Sequence, residues 1–179
     1  MFVKILIGIA ILILLFVIVV ATRPAEYQVS RSAQISAPPS AVFAEVNDFH
    51  RWTAWNPWGK LDPAMKQSYG GAASGVGASY SWAGNHQVGE GRMTIIESRP
   101  DERVKIQMEF LKPFAGNSVA EFNFKPAGEQ TLLTWSMSGK NNFMAKAIGL
   151  FMNMDRMIGG QFEKGLADMK TTVEQRRVQ

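Results

Sequence analysis

Apolar and polar positions divide this chain at Thr22. From Ile5 to Ala21 every residue is Ile, Leu, Val, Phe, Ala or Gly, and no charge follows Lys4 until Arg23. A helix over that run, rising ~1.5 Å per residue, crosses most of a ~30 Å hydrocarbon core. Beyond Thr22 the pattern breaks into short alternating segments of the kind that build a water-soluble domain. Residues 1–22 are therefore expected to be an N-terminal membrane anchor, 23–26 a linker broken by Pro24, and 27–179 one folded domain. A cleaved signal peptide is the competing reading, with Lys4 as its basic end and Val19-Val20-Ala21 as a passable cleavage site. Against it, the apolar core is long and no polar, helix-breaking stretch precedes the cut. A buried helix of a soluble protein is a third reading.

Tyr27, Val29, Arg31, Ala33 and Ile35 alternate with Gln28, Ser30, Ser32 and Gln34, which predicts a first strand. Ser36-Ala-Pro-Pro-Ser40 stops it, and Ser36 can cap a helix carrying Val42, Phe43 and Val46. Asp48 caps a second short helix through Trp52. Trp52, Trp55 and Trp58 follow at a spacing of three. Strands are then expected at Met65–Tyr69, Ala78–Ala83, Gln87–Glu97, Arg103–Leu111, Ser118–Lys125 and Thr131–Ser138, separated by glycine and proline turn signals. The clearest is Arg103–Leu111, where Val104, Ile106, Met108 and Phe110 share one face. After Asn141 and Asn142, one long helix is expected to about Gln175. Its apolar face reads Met144, Ile148, Phe151, Ile158, Phe162, Leu166, Met169 and Val173. Hairpin strands in series form a curved antiparallel sheet with one dry face, and the helix is the partner that covers it. The fold class is α+β.

Composition narrows the function. Lys plus Arg number 19 and Asp plus Glu 15, a net charge of +4, and the basic residues are scattered. Nucleic-acid binding needs a basic stripe, so no nucleic-acid partner is expected. A mild attraction to anionic lipid is all that the charge implies. The chain has no cysteine, which excludes disulfides and thiol chemistry. Lys4 and the terminal amine favour an inside N-terminus, while Arg23 and Arg31 nearly balance them. A lone first helix before a large domain places that domain on the periplasmic or outer side of the cytoplasmic membrane. Ten Met, eleven Phe and five Trp make adaptable walls for apolar ligands and, equally, ordinary cores.

Several segments together resemble a known family. They are Ile35-Ser-Ala-Pro-Pro-Ser-Ala-Val-Phe43, Trp52-Thr-Ala-Trp55-Asn-Pro-Trp58, Tyr80-Ser-Trp82 with Gly89-Glu-Gly91-Arg-Met93, and Met154-Asp155 through Leu166. Over residues 27–175 the chain resembles the START-like, birch-pollen-allergen-like helix-grip superfamily, labelled SRPBCC or polyketide cyclase/dehydrase, and its bacterial membrane-anchored members in particular. That resemblance implies a curved sheet wrapped around a long C-terminal helix, with a deep cavity between them for hydrophobic or amphipathic molecules such as a lipid, quinone or polyketide. It does not choose among carrier, sensor and enzyme. A cyclase, dehydratase or hydrolase in the same cavity is the first alternative, and an interaction domain with a filled core is the second.

The chemistry-bearing residues are few. His50 and His86 stand apart without metal-ligand spacing, and no metal or other cofactor is expected. No serine lies in a nucleophile elbow, and the glycine pairs do not lead from a strand into a helix. No catalytic residue is assigned; His86 and Asp155 are the acid/base candidates of the enzyme alternative. Asp155 falls on the helix face assigned to the sheet, where burial raises its pKa unless Arg156 or a sheet donor pairs with it. Glu90 and Arg92 are expected to point outward if Gly91, Met93 and Ile95 face the core. The cavity candidates are Trp52, Trp55, Trp58, Tyr80, Trp82, Met108, Phe110, Phe122, Trp135, Met137, Phe151 and Asp155. The three tryptophans at 52, 55 and 58 either plug the open end of the sheet or form a ligand rim. Oligomeric state is left open.

Overall fold

Period-two alternation becomes seven strands in the computed structural model, which describes residues 2–178. They are β1 (Glu26–Ile35), β2 (Lys66–Gly71), β3 (Ala78–Ala83), β4 (Glu90–Arg99), β5 (Arg103–Lys112), β6 (Gly116–Ala127) and β7 (Gln130–Lys140). The apolar N-terminal run forms α1 (Phe2–Ala21), and α2 (Pro39–Asn47) opens with Pro39 in its first turn. The second short helix is of the 3-10 type, Phe49–Ala54, and a 3-10 turn, Pro57–Lys60, follows it. The Asp48 side chain caps the first of these by accepting from the His50 backbone N–H at 2.9 Å.

The strands lie in one antiparallel sheet in the order β1-β7-β6-β5-β4-β3-β2. After β1 the chain crosses the inner face through α2 and the 3-10 turns. It starts again at the far edge with β2 and meanders back. β7 then closes on β1 over its whole length, from Glu26 opposite Lys140 to Ile35 opposite Thr131. Alternate residues of each strand point inward. On β4, Gly91, Met93 and Ile95 are buried and Arg92 is exposed, so Glu90 and Arg92 do face outward. This is the α+β helix-grip architecture.

The C-terminal helix differs from expectation. It is two helices, α3 (Phe143–Ile148) and α4 (Met154–Val178). Asn142 caps α3 through Oδ1, which accepts from the Ala145 N–H at 2.8 Å. The Asn153 side chain starts α4 in the same way, accepting from the Arg156 N–H at 2.9 Å. Between them Gly149–Asn153 is turn. Helical phase is therefore lost between Ile148 and Met154. Met144 and Phe151, assigned to the sheet-facing stripe, are exposed instead, Phe151 by 81 %. The stripe holds from Ile158 onward: Phe162, Leu166, Met169 and Val173 are all buried.

Polar contacts lock the far end of α4. The Ser36 N–H donates to Glu174 Oε1 at 2.7 Å, and Lys170 Nζ donates to the Gln34 carbonyl at 2.7 Å. Buried Glu45 on α2 accepts from Arg51 and from Arg176, which ties α2 to the end of α4.

Two helix glycines permit close approach. A Cβ on Gly159 would overlap the Arg31 guanidinium, and one on Gly165 would lie 2.9 Å from the Trp135 ring and 3.0 Å from Pro57. Gly160 faces open space. Gly165→Ala should therefore destabilise by roughly 1–2 kcal/mol, because overpacking outweighs the gain in helix propensity. Gly160→Ala should stabilise by about 0.5–1 kcal/mol. Urea unfolding midpoints of the two variants check this; equal midpoints would contradict the packing account.

Candidate functional site

Inward-facing residues of β6 and β7 place Phe122 and Trp135 side by side, their ring centroids 4.9 Å apart. Phe162 of α4 stacks on the outer face of Trp135 at 4.1 Å and 10°. Trp55 and Trp58 meet the same indole edge-on at 5.7 and 5.9 Å. Trp52 closes the cluster 4.5 Å from Trp55. Trp52 and Trp55 are fixed in turn by donating their ring N–H groups to the Val46 and Glu45 carbonyls at the end of α2. The space between the sheet and α4 is thus occupied by six aromatic rings. The deep cavity implied by the family resemblance is not open there. One polar group stands out in this bed: the Trp135 Nε1–H is buried and has no acceptor.

Two clefts lie elsewhere, along the seam between the 3-10 segments and the edge strand β2 with its neighbour β3. One, of about 150 Å³, is lined by Phe49, Trp52, Tyr69 and Tyr80, with Thr53, Asn56, Lys60 and Gln67 among its polar groups. The other, of about 210 Å³, lies on the far side of Phe49 and Tyr69 and reaches His50, Ala78 and Ser79. Tyr69 stands between them, stacked on His50 at 4.2 Å and 5.4 Å from Tyr80. Burial pushes the Tyr80 phenol up to about 12 and raises that of Tyr69, so both are neutral hydroxyls at physiological pH. His50 Nδ1 lies 3.0 Å from Asp48 Oδ1.

Asp155 lies outside both clefts. Its side chain is 60 % exposed, and Arg31 holds it through Nη1 at 3.1 Å and Nη2 at 3.0 Å. Arg31 Nε also donates to Glu163 Oε1 at 2.7 Å. A guanidinium on the inward side of β1 is thereby matched by two carboxylates of α4, two turns apart. These hydrogen bonds hold the Asp155 carboxyl below the usual carboxylate range, the reverse of the burial effect expected for that position. The sheet donor that could offset burial is Arg31; Arg156 has no part in it.

The other proposed cavity residues separate into groups. Trp52, Trp55, Trp58, Phe122 and Trp135 come together in the aromatic bed. Tyr80, Trp82 and Phe110 continue the inner face across β3 and β5, with Tyr80 6.1 Å and Phe110 6.0 Å from Trp82. Met137 is buried, while Met108 and Phe110 are partly buried against the core. Phe151 leaves the face because it falls in the turn before the Asn153 cap, whereas Asp155 keeps the phase of Ile158 and Phe162 on α4 and meets Arg31 of β1 at the edge of that face. Of the three spaced tryptophans, Trp55 is fully buried in the bed, whereas Trp52 also lines the smaller cleft. His86 sits exposed in the β3–β4 turn. Sequence reasoning passed over Phe49 and Tyr69 as cleft walls and Phe162 as the lid of the bed. Arg31 was passed over too, although a charge in an inward-facing series demands a partner and so carried a readable signal. No group of three or more His, Cys, Asp or Glu able to hold a metal ion occurs among the described residues.

A curved seven-stranded sheet gripping a C-terminal helix over an aromatic bed defines the class, a helix-grip α+β protein. The family model described as polyketide cyclase / dehydrase and lipid transport matches residues 26–174, and the chain belongs to that family. Among solved structures, protein CV1439 from Chromobacterium violaceum is 15 % identical with a TM-score of 0.59, covering 85 % of this chain and 99 % of that one. The Aha1 dimer from Colwellia psychrerythraea is 14 % identical with a TM-score of 0.60, covering 83 % and 96 %. Protein MLL2253 from Mesorhizobium loti is 20 % identical with a TM-score of 0.57, covering 82 % and 98 %. At these identities the likeness is one of fold. No curated protein matches the chain.

The Arg31 clamp makes a pH prediction. Because the folded Asp155 pKa lies below its unfolded value, the contact contributes fully above about pH 4. It is lost as pH falls through the lowered value. Asp155→Asn should remove that part of the acid dependence, so thermal unfolding of wild type and variant should converge toward pH 2 and diverge above pH 4. A constant gap across that range would show that the pair does not set it.

Proposed function

We propose that this domain binds a hydrophobic or amphipathic small molecule, such as a lipid, quinone or polyketide-like compound, on its aromatic inner face. In this reading α1 is a single-pass membrane anchor. The observation that carries the proposal is the smaller cleft. Trp52 and Tyr80 form its apolar walls and belong to the same continuous aromatic surface as Trp135, while Thr53, Asn56, Lys60 and Gln67 supply polar groups. An apolar body with one polar end matches that division. The bed itself is filled, so a longer ligand gains room by displacing Tyr69 or Trp52. Trp135 offers it one N–H, whose burial without an acceptor costs roughly 1–3 kcal/mol until it is paired. Anchoring the domain by α1 (Phe2–Ala21) would hold it beside membrane-dissolved ligands and raise their effective concentration. The family description, which names both cyclase chemistry and lipid transport, supports ligand binding of this kind.

A cyclase-type role is the second reading, and one observation favours it. The His50–Asp48 pair borders the larger cleft beside Tyr69, and an imidazole oriented by a carboxylate is the usual form of a general base. His50→Gln should then leave ligand binding intact and abolish turnover.

Native mass spectrometry of the full chain released from detergent tests the main reading. Wild type should carry a lipid or quinone adduct, either co-purified or acquired on incubation. Gln67→Trp places a large ring on an exposed edge-strand position at the smaller cleft and should reduce adduct occupancy at least about tenfold, a loss of ~1.4 kcal/mol. A wild-type chain that stays adduct-free with both ligand classes would sink the proposal.

A further inference from the structure

The β1–β7 pairing brings several segments to one end of the sheet. β1 starts there at Glu26, opposite Lys140, and only Thr22–Ala25 separate it from the last residue of α1. The Asn141 N–H donates to the Ala25 carbonyl at 2.8 Å, so α3 begins immediately beside that linker. α1 and α3 are in contact, and Val20 in the last turn of α1 is fully buried. Asn142 Nδ2 reaches the Ala115 carbonyl at 3.5 Å, which holds the β5–β6 turn next to the start of α3.

This end is also where large apolar side chains face outward. Phe143 and Met144 on α3, Phe151 and Met152 in the loop behind it, Met157 on α4 and Phe114 in the β5–β6 turn are all about half exposed or more. A water-soluble domain rarely gathers so much exposed apolar surface in one place without something covering it. Arg23, Lys140, Lys146 and Arg156 lie on the same segments. Against them stand Glu26 and Asp155, and Asp155 is already held by Arg31. Aromatic and Met side chains interleaved with cations are the pattern of interfacial seating on anionic bilayers.

We propose that α3, the α3–α4 loop and the β5–β6 turn form a surface that rests in the interfacial layer of the leaflet from which α1 emerges. The inference depends on the reading of α1 as a membrane anchor. Given that anchor, the short linker and the α1–α3 contact leave this end of the domain nowhere else to lie. The break between α3 and α4 then has a purpose: it turns Phe143, Met144 and Phe151 away from the sheet and toward lipid. The domain is held in one orientation on the membrane, with this end down and the β6–β7 turn away from it.

Because the chain contains no cysteine, single cysteines can report depth without background. Spin labels at Leu14→Cys, Met144→Cys, Phe151→Cys and Ala127→Cys are compared in the full chain, reconstituted in vesicles of equal phosphatidylcholine and phosphatidylglycerol. Leu14 reports the anchor, and Ala127 reports the opposite end of the sheet. Collision rates with oxygen and with a water-soluble nickel chelate are measured at each site. Oxygen should exceed the chelate at Leu14. The oxygen-to-chelate ratio at Met144 and Phe151 should be about tenfold above that at Ala127, as seating ~5–10 Å into the headgroup–acyl boundary requires. If Leu14 is lipid-embedded while Met144 and Phe151 resemble Ala127, the seating surface is refuted and the anchor stands. A chelate-accessible Leu14 refutes the anchor and the seating with it. Shielding of Met144 and Phe151 from both reagents, with spin–spin broadening, would mean that a second copy covers the patch and would also overturn the proposal.

Discussion

The stack of Phe122, Trp135 and Phe162 is the contact on which the rest of the molecule depends. Trp135 is held between a neighbour on the sheet and a ring from α4, and each aromatic side chain of this kind removes roughly 150–250 Å² from water. The helix can come this close because residue 165 has no side chain: any Cβ there would meet both Trp135 and Pro57. Pro57 belongs to the crossing segment, so the same contact sets the path of the 3-10 turns over the inner face. Trp52, Trp55 and Trp58 follow from that path as edge-on neighbours of the indole, and α2 is tied in through the carbonyls that accept from Trp52 and Trp55.

That contact also shapes how the face can be used. In a domain whose inner space is held by its own rings, binding is a competition between ligand and side chains. The accessible places are at the seam, where β2 is an exposed edge strand and Tyr69 divides two clefts. The stack gives α4 its apolar hold on the sheet, and ionic contacts at both ends of the helix complete it. Arg31 clamps the first turns through Asp155 and Glu163. Glu174 and Arg176 fasten the last turns to Ser36 and Glu45.

Closure of β7 on β1 gives the molecule its polarity. Since β1 follows the apolar helix by a few residues, everything at the β1 start shares an end with α1. By the same register the Ser36–Glu174 contact and the β6–β7 turn lie at the opposite end. Family membership is settled by the match over residues 26–174.

Much of this was legible in the residues. The inward-facing series of β1, β4, β5, β6 and β7 were readable because a strand repeats every two residues and burial imposes that repeat on side-chain type. The apolar character of α1 and the α+β order of elements were readable for the same local reason. Arg31 carried the signal of a charge needing a partner, though not which one. What the sequence could not show was whatever depends on distance through space. A helical period runs on across Gly149–Asn153 if only spacing is counted, which puts Phe151 on a face that it does not occupy; the Asn153 cap restarts the phase, and Asp155 stays on the sheet-facing side against Arg31. Phe122 and Trp135 were identified as wall, but whether that wall bounds a void was decided by Phe162, Gly165 and three tryptophans arriving from other parts of the chain. Local periodicity determined which side of each element is dry; only tertiary packing decided what fills the space between the dry sides, because volume there is shared by residues as far apart in the chain as Trp52 and Phe162.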